Sequence, residues 1–216
     1  MSKRESVTIT CPACGRDSEF TVWHSINTVI DPDMKDAFRD GTAFIFRCPD
    51  CGNETPVFYP CLYHQMEDNI MIYLVDEGSA ESACNSFDIP EAGGILTADD
   101  FKQEYLLRVV TSVNALMEKI RIFDSGRDDR AVEIYKELLL ENLKETRPDF
   151  DVARIIFDTA DDGDFFVIIG NDGNAASTDL DENFYEGIEA VLLRDGGARD
   201  EEEKIIDSEW ARRMLE

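Results

Sequence analysis

The sequence predicts an α+β chain: a small cysteine-bearing β module, a helical hairpin, and a small antiparallel sheet closed by C-terminal helices. Three observations predict it. Cys-Pro-x-Cys-Gly occurs twice, at 11–15 and 48–52, with short apolar stretches on either side. Apolar residues then recur at helical spacing between about 98 and 147. Strand-like runs follow at 153–157 and 165–169, with the favoured turn pair Asp162-Gly163 between them. Strands first, helices next and strands again do not alternate as a βαβ chain does, which gives α+β.

Taken in order, Val7-Thr8-Ile9-Thr10 alternates as a strand into the first turn, and Phe20-Thr21-Val22-Trp23 leaves it. Asp31 and Pro32 predict the N-cap and first position of a helix over 32–40, which Gly41 stops. Phe44-Ile45-Phe46 and Val57-Phe58-Tyr59 flank the second turn as strands, and Ile70 to Val75 is an apolar run fit for a buried strand. Residues 76–97 are rich in small and turn residues and predict a linker between a 1–75 module and a 98–216 region. Thr97-x-x-Asp100 has a capping-box layout that opens a helix to about 122, with Leu106, Val109, Val110, Val113, Leu116, Met117 and Ile120 on one face. Ser125 predicts the cap of a second helix over 127–146, ended by Pro148; together they form a hairpin over 98–147. Strands fill 152–178. Helices fill 181–215: Phe184, Ile188, Val191 and Leu192 form one apolar face, and Ile205, Ile206, Trp210 and Leu215 another.

The two cysteine turns carry the chemistry. A Cys-x-x-Cys turn brings two sulfurs onto one ion, and structural zinc takes four ligands, thiolate above all. Pro12 and Pro49 stiffen the turns, and Gly15 and Gly52 let the chain curl through positive φ. Cys11, Cys14, Cys48 and Cys51 therefore predict one structural Zn2+ with no open position. The 33 residues between Cys14 and Cys48 exceed the usual double-knuckle spacing of about 15–20, so the insert is expected to form a strand and helix of its own. Two disulfides or two redox pairs are the alternative. They fit less well, because the N-terminus has no signal-peptide core and the chain reads as cytoplasmic. Cys61 and Cys84 read as free thiols.

The doubled Cys-Pro-x-Cys-Gly resembles the family called CpXC after that motif. So do Phe20-Thr21-Val22-Trp23-His24-Ser25-Ile26-Asn27, Pro60-Cys61-Leu62-Tyr63-His64, Leu107-Arg108-Val109-Val110, Glu118-Lys119-Ile120-Arg121-Ile122-Phe123 and Asp128-Asp129-Arg130-Ala131-Val132-Glu133. The resemblance covers roughly residues 6–147. It implies a bacterial or archaeal protein with a zinc-ribbon-like N-terminus. It implies no activity, because that family is described as functionally uncharacterised. Cys61 stands where the family pattern leads one to expect an aliphatic residue.

Charge narrows the partners. The 216 residues carry 21 Lys/Arg and 47 Asp/Glu, a formal net charge of −26. Residues 1–75 hold six Lys/Arg and eleven Asp/Glu, a net of −5, which leaves −21 for residues 76–216. Nucleic-acid binding needs a basic face to neutralise phosphates, so no nucleic-acid partner is expected. No apolar run reaches the roughly 18 residues of a membrane helix, so no membrane partner is expected either. A basic protein is the partner this charge favours. The sequence gives no oligomeric state.

The remaining candidates are weaker. His64, read in a loop, and His24 beside Trp23 suit packing better than metal binding, because four cysteines already close the metal shell. Asp179-x-Asp181-x-Asn183 resembles the start of a calcium loop, but Phe184 stands where that loop needs Gly and Ala190 where it needs Glu. Asp128 and Asp129 suit the positive end of a helix. Phosphate loops, nucleophile elbows and a Ser/His/Asp order are missing. The reading favoured by these features is a zinc-stabilised protein-interaction module rather than an enzyme. The alternative is an enzyme whose site lies between the zinc module and the helical hairpin and uses His24, His64, Asp128 and Asp129. A third reading is an acidic nucleic-acid mimic.

Overall fold

The computed structural model describes residues 2–86, 105–194 and 203–216. The chain divides into two compact units, Met1–Met117 and Glu118–Glu216. The architecture is α+β, with one sheet in each unit and a separate two-stranded hairpin in the first.

The first unit is built on a five-stranded sheet of order β1-β2-β5-β6-β7, comprising β1 (Lys3–Thr10), β2 (Asp17–Asn27), β5 (Cys61–Gln65), β6 (Ile70–Leu74) and β7 (Leu106–Val110). β1 and β2 form an antiparallel hairpin, with Val7 opposite Phe20 and Thr10 opposite Asp17. β2 then runs parallel to β5, with Asn27 opposite His64. A parallel neighbour needs a crossover. It is made by α1 (Asp33–Arg39) and the hairpin of β3 (Ile45–Arg47) with β4 (Glu54–Pro56). The insert between the cysteine pairs thus holds the helix its length predicts, α1, and two strands, β2 and β3. Aromatic rings pack the crossover on the sheet: Phe38 lies 5.2 Å from Phe44 and 5.9 Å from Tyr63, and Phe44 stacks on Tyr59 at 4.7 Å. Gly41 ends α1 at φ +81, where a Cβ would come 2.7 Å from Met117 Sδ.

Several local expectations are corrected. Pro32, not Asp31, precedes the first helical residue, and no side chain caps α1; the Asp31 carbonyl instead accepts from Met34 N–H. Residues 57–59 leave the second turn without forming a strand. Part of the expected linker is helical, in α2 (Ala80–Ser86); the Thr97 capping box lies outside the described residues. Residues 106–110, expected as helix, form β7, parallel to β6 with Leu106 opposite Ile70 and Val110 opposite Leu74. The helix that follows, α3, covers only Val113–Asp124. A short apolar run fits helix and strand periods alike. Here β6 supplied a free edge, and the β-branched Val109 and Val110 suit a pleated surface. β7 belongs to the first sheet, and the two compact units meet in sequence at Met117 and Glu118; residues 87–97 of the expected linker lie outside the described residues.

The second unit packs α4 (Asp129–Thr146), α5 (Glu182–Arg194) and α6 (Ser208–Leu215) with an antiparallel sheet of order β10-β9-β8. Its strands are β8 (Val152–Ala160), β9 (Gly163–Gly170) and β10 (Ala175–Asp179). Its core contains Phe157, Phe166, Tyr135, Ile188 and Trp210. Asp128, not Ser125, caps α4, its carboxylate accepting from Arg130 N–H at 2.9 Å; the Ser125 hydroxyl donates back to the Ile122 carbonyl. The terminal helix covers only Ser208–Leu215, so Ile205 and Ile206 precede it; the Asp207 carboxylate caps it, accepting from the N–H groups of Glu209 and Trp210.

Charge is buried deliberately in this unit. The Lys119 ammonium lies 2.9 Å from Asp129 and 3.4 Å from Glu133, and Lys136 lies 3.0 Å from Glu133 and 2.9 Å from Glu118. Glu118 also accepts from Phe157 N–H at 2.7 Å. Two cations thus share three carboxylates, and the network ties the end of α3 to α4 and β8. Arg127 makes a second clamp: it donates to Asp164 at 2.8 Å and to both Glu182 oxygens, and lies 4.7 Å over the Tyr185 ring.

Candidate metal centre

The two cysteine turns are local copies of each other. Gly15 N–H donates to the Cys11 carbonyl and Cys11 N–H to the Arg16 carbonyl, both at 2.9 Å. Gly52 N–H donates to the Cys48 carbonyl and Cys48 N–H to the Asn53 carbonyl, again at 2.9 Å. Gly15 and Gly52 sit at φ +72 and +74, the left-handed region that favours glycine. β1 and β2 hold the first turn, and β3 and β4 the second. In each pair the first cysteine is buried and the second exposed. Ile9, Phe20, Phe46 and Val57 pack around Cys11 and Cys48, and Arg16 bridges the turns to Asp50 at 2.5 Å.

The four sulfurs of Cys11, Cys14, Cys48 and Cys51 converge within 4.8 Å of one another. Cys11 lies 3.6 Å from Cys51, and Cys14 lies 3.7 Å from Cys48. A tetrahedral ion with sulfur at about 2.3 Å requires sulfur–sulfur edges of about 3.8 Å. The donor set therefore fits a tetrahedral thiophilic cation, and none of the six cysteines is in a disulfide. The close pairs join one turn to the other rather than closing a bond within either turn.

The thiols ionise unequally. The Cys14 N–H is the largest influence on Cys11, and it helps hold that thiol down at about 7. Cys51 receives help from the Asn53 N–H, yet burial and the neighbouring sulfurs of Cys11, Cys14 and Cys48 push it up to about 12. Crowded thiolates repel one another. A divalent cation among them reverses that order, because a coordinating thiol is deprotonated outright. An ion held by all four thiolates would have four protein ligands.

The structure places the other candidates elsewhere. His24 lies 3.1 Å from Glu5 across the β1/β2 hairpin, beside the buried Trp23. His64 lies on β5, not in a loop, opposite the end of β2 that is remote from the Cys11–Cys14 turn; the 11 residues of β2 span about 30 Å. Its Nδ1 is 3.3 Å from Asn27 Nδ2 and its Nε2 is 3.2 Å from the Tyr105 hydroxyl. The Asn27 carbonyl oxygen accepts from Val29 and Ile30 N–H, which fixes the amide orientation. Asn27 therefore donates to Nδ1, and the His64 proton resides on Nε2. Burial is the largest cause lowering the His64 pKa; Glu67 opposes it. Sign then follows: the unfolded chain takes up the proton first as pH drops below about 6.5, so stability present above that value is lost as pH falls through the folded pKa. Titrating the His64 ring by NMR is expected to give a midpoint below 6.5, raised toward it in Asn27→Ala.

Asp128 and Asp129 belong to the second unit. Asp128 caps α4 and pairs with Arg130 at 2.7 Å, and Asp129 is buried against Lys119. Asp181 caps α5 through Phe184 N–H, and among the described residues the only group of metal-ligating side chains is the cysteine set. Cys61 is fully buried, and burial pushes its thiol up. Sequence reasoning missed the Asn27–His64–Tyr105 chain and the Lys119–Glu133–Lys136 network. Asn27 and His64 both stand in the stretches singled out above, but their meeting depends on the parallel β2/β5 register.

No helix among the described residues is long and apolar enough to cross a membrane. A family model described as CpXC protein matches residues 9–136, more than half of the chain and including both cysteine turns. No curated protein and no solved structure matches.

Proposed function

The chain belongs to the CpXC family, and from that premise we propose that it is a zinc-stabilised protein-interaction module. The observation that carries this reading is the convergence of Cys11, Cys14, Cys48 and Cys51 within 4.8 Å in paired turns. All-thiolate tetrahedra suit Zn2+, and a closed shell serves folding rather than catalysis. Zinc would fix the relative positions of the β1/β2 and β3/β4 hairpins, which a small cluster of apolar side chains supports. The partner we infer is a basic cytoplasmic protein, because the chain carries −26 and residues 76–216 hold most of it. The test is metal analysis of the purified chain together with capture of partners by zinc-loaded and Cys48→Ser protein. One zinc per chain, with a captured protein that is released by salt and lost in Cys48→Ser, supports the reading. A chain that folds without metal, or a partner held equally by both proteins, overturns it.

A further inference from the structure

Asn27 ties His64 to the turn that follows β2. Its side-chain oxygen accepts from Val29 N–H at 3.0 Å and from Ile30 N–H at 3.3 Å. Its backbone carbonyl accepts from Ile30 and Asp31 N–H. Its amide nitrogen lies 3.3 Å from His64 Nδ1 and 3.5 Å from Met66 Sδ. Asn27 is 3% exposed, so bulk water does not replace a partner lost there.

One amide oxygen cannot serve both sides. Neutral His64 offers Nδ1 as an acceptor, and both ends of the Asn27 amide are satisfied. The imidazolium carries a proton on Nδ1, and two donors then face each other. Asn27 relieves that conflict by turning its oxygen to His64. Its NH2 group then faces the N–H groups of Val29 and Ile30, and the side-chain bonds that hold the turn are lost.

The other groups around His64 do not remove the conflict. β6 places the uncharged Met71 opposite it. The Tyr105 hydroxyl, just before β7, accepts from Nε2 in either protonation state. Glu67, on the short turn Met66–Asp68, favours the imidazolium, whereas burial and the amino terminus oppose it. The Glu67 carboxylate is engaged by the Thr28 hydroxyl and by Lys35 of α1. Burial works against the charge on Glu67, but Thr28 and Lys35 help outweigh it and hold its pKa below the ordinary value. Glu67 therefore stays ionised while His64 titrates.

We propose that Asn27 and His64 form a pH-operated latch, in which neutral His64 holds the 28–31 turn closed and the imidazolium releases it. Val29 and Ile30, 59% and 58% exposed, ride on that turn. Their display is thus fixed at neutral pH and loosened in acid. The open form takes up its proton near the ordinary value of about 6.5, and the closed form lower. Closure is complete above that value and is lost as pH falls through the closed-form pKa.

The test is residue-resolved NMR of the full-length, zinc-loaded protein from about pH 8 to about pH 5. The His64 ring and the Val29 and Ile30 amides are expected to shift with one midpoint. Exchange protection of the Val29 amide is expected to fall by up to about tenfold per pH unit between about 6.5 and that midpoint. Unchanged protection at both cysteine turns shows that the metal stays bound. His24, the other histidine, is followed by its own ring signals. Asn27→Asp supplies acceptors on both sides, so it is expected to raise the His64 midpoint above 6.5 and keep the turn closed in acid. His64→Gln is expected to abolish the transition. Val29 protection that persists through the His64 midpoint means that the ring swings away and Asn27 stays, which overturns the proposal. Acid release that survives in Asn27→Asp or His64→Gln overturns it as well. The wild-type titration decides the matter even where a variant does not fold.

Discussion

Replacing Cys48 by Ser is expected to strip the metal and unfold the two hairpins that carry the cysteines, leaving the second unit folded. Cys48 is buried, and around it only Ile9, Phe20, Phe46, Val57 and Cys11 form the local apolar cluster. That is too little to hold two turns together. Structural zinc contributes about 10–16 kcal/mol in small zinc peptides, far more than such a cluster. Amide exchange is the measurement: residues 9–17 and 45–56 lose protection in Cys48→Ser, whereas residues of α4 and β9 keep theirs. Cys61→Ala serves as the contrast, since Cys61 is buried in β5 outside the sulfur cluster and its loss leaves the metal bound. Wild-type protection of 45–56 in a metal-free Cys48→Ser protein would rule out a structural metal.

The second large effect is expected at Glu133. Its carboxylate faces both Lys119 and Lys136, and both its partners are largely buried. Removing one partner of a buried ion pair leaves uncompensated charge and costs about 3–5 kcal/mol. Glu133→Ala is therefore expected to remove a large share of the roughly 5–15 kcal/mol typical of a domain, read as a lower urea midpoint for the second unit. Glu133→Gln, which keeps an acceptor oxygen, is expected to cost less. Burial works against the charge on Lys136, but Glu133 and Glu118 outweigh it and raise its pKa above the ordinary 10.5. A raised lysine stabilises the fold fully below about 10.5 and loses that contribution as pH rises through the folded value. The urea midpoint should thus be flat in this respect at neutral pH and fall in strong alkali, less steeply in Glu133→Gln. An unchanged midpoint for Glu133→Ala would mean that Asp129 and Glu118 hold both lysines without it.

The sequence by itself determined the features set by near neighbours. Cys-Pro-x-Cys-Gly dictates its own turn through proline and a positive-φ glycine, and both turns adopt it. The β8/β9 hairpin lies where the Asp162-Gly163 signal puts it, but its turn is Asp161-Asp162, one residue earlier, with Gly163 paired to Ala160 at the head of β9. The α+β class follows from the same local signals. Only the tertiary structure decided the rest. Residues 106–110 suit helix and strand alike, and pairing with β6 made them a strand. Asn27 and His64 stand 37 positions apart and meet because β2 and β5 run parallel in one register. Lys119 and Lys136 look like ordinary surface residues of amphipathic helices until α3, α4 and β8 close around them. Periodicity marks Phe184, Ile188, Val191 and Leu192 as one apolar face, but packing buries Ile188 and leaves Phe184 and Val191 exposed. The physical reason is common to all four cases. Backbone preference acts over a few residues, whereas burial, ion pairing and strand register are settled by whichever distant segment supplies the complementary surface.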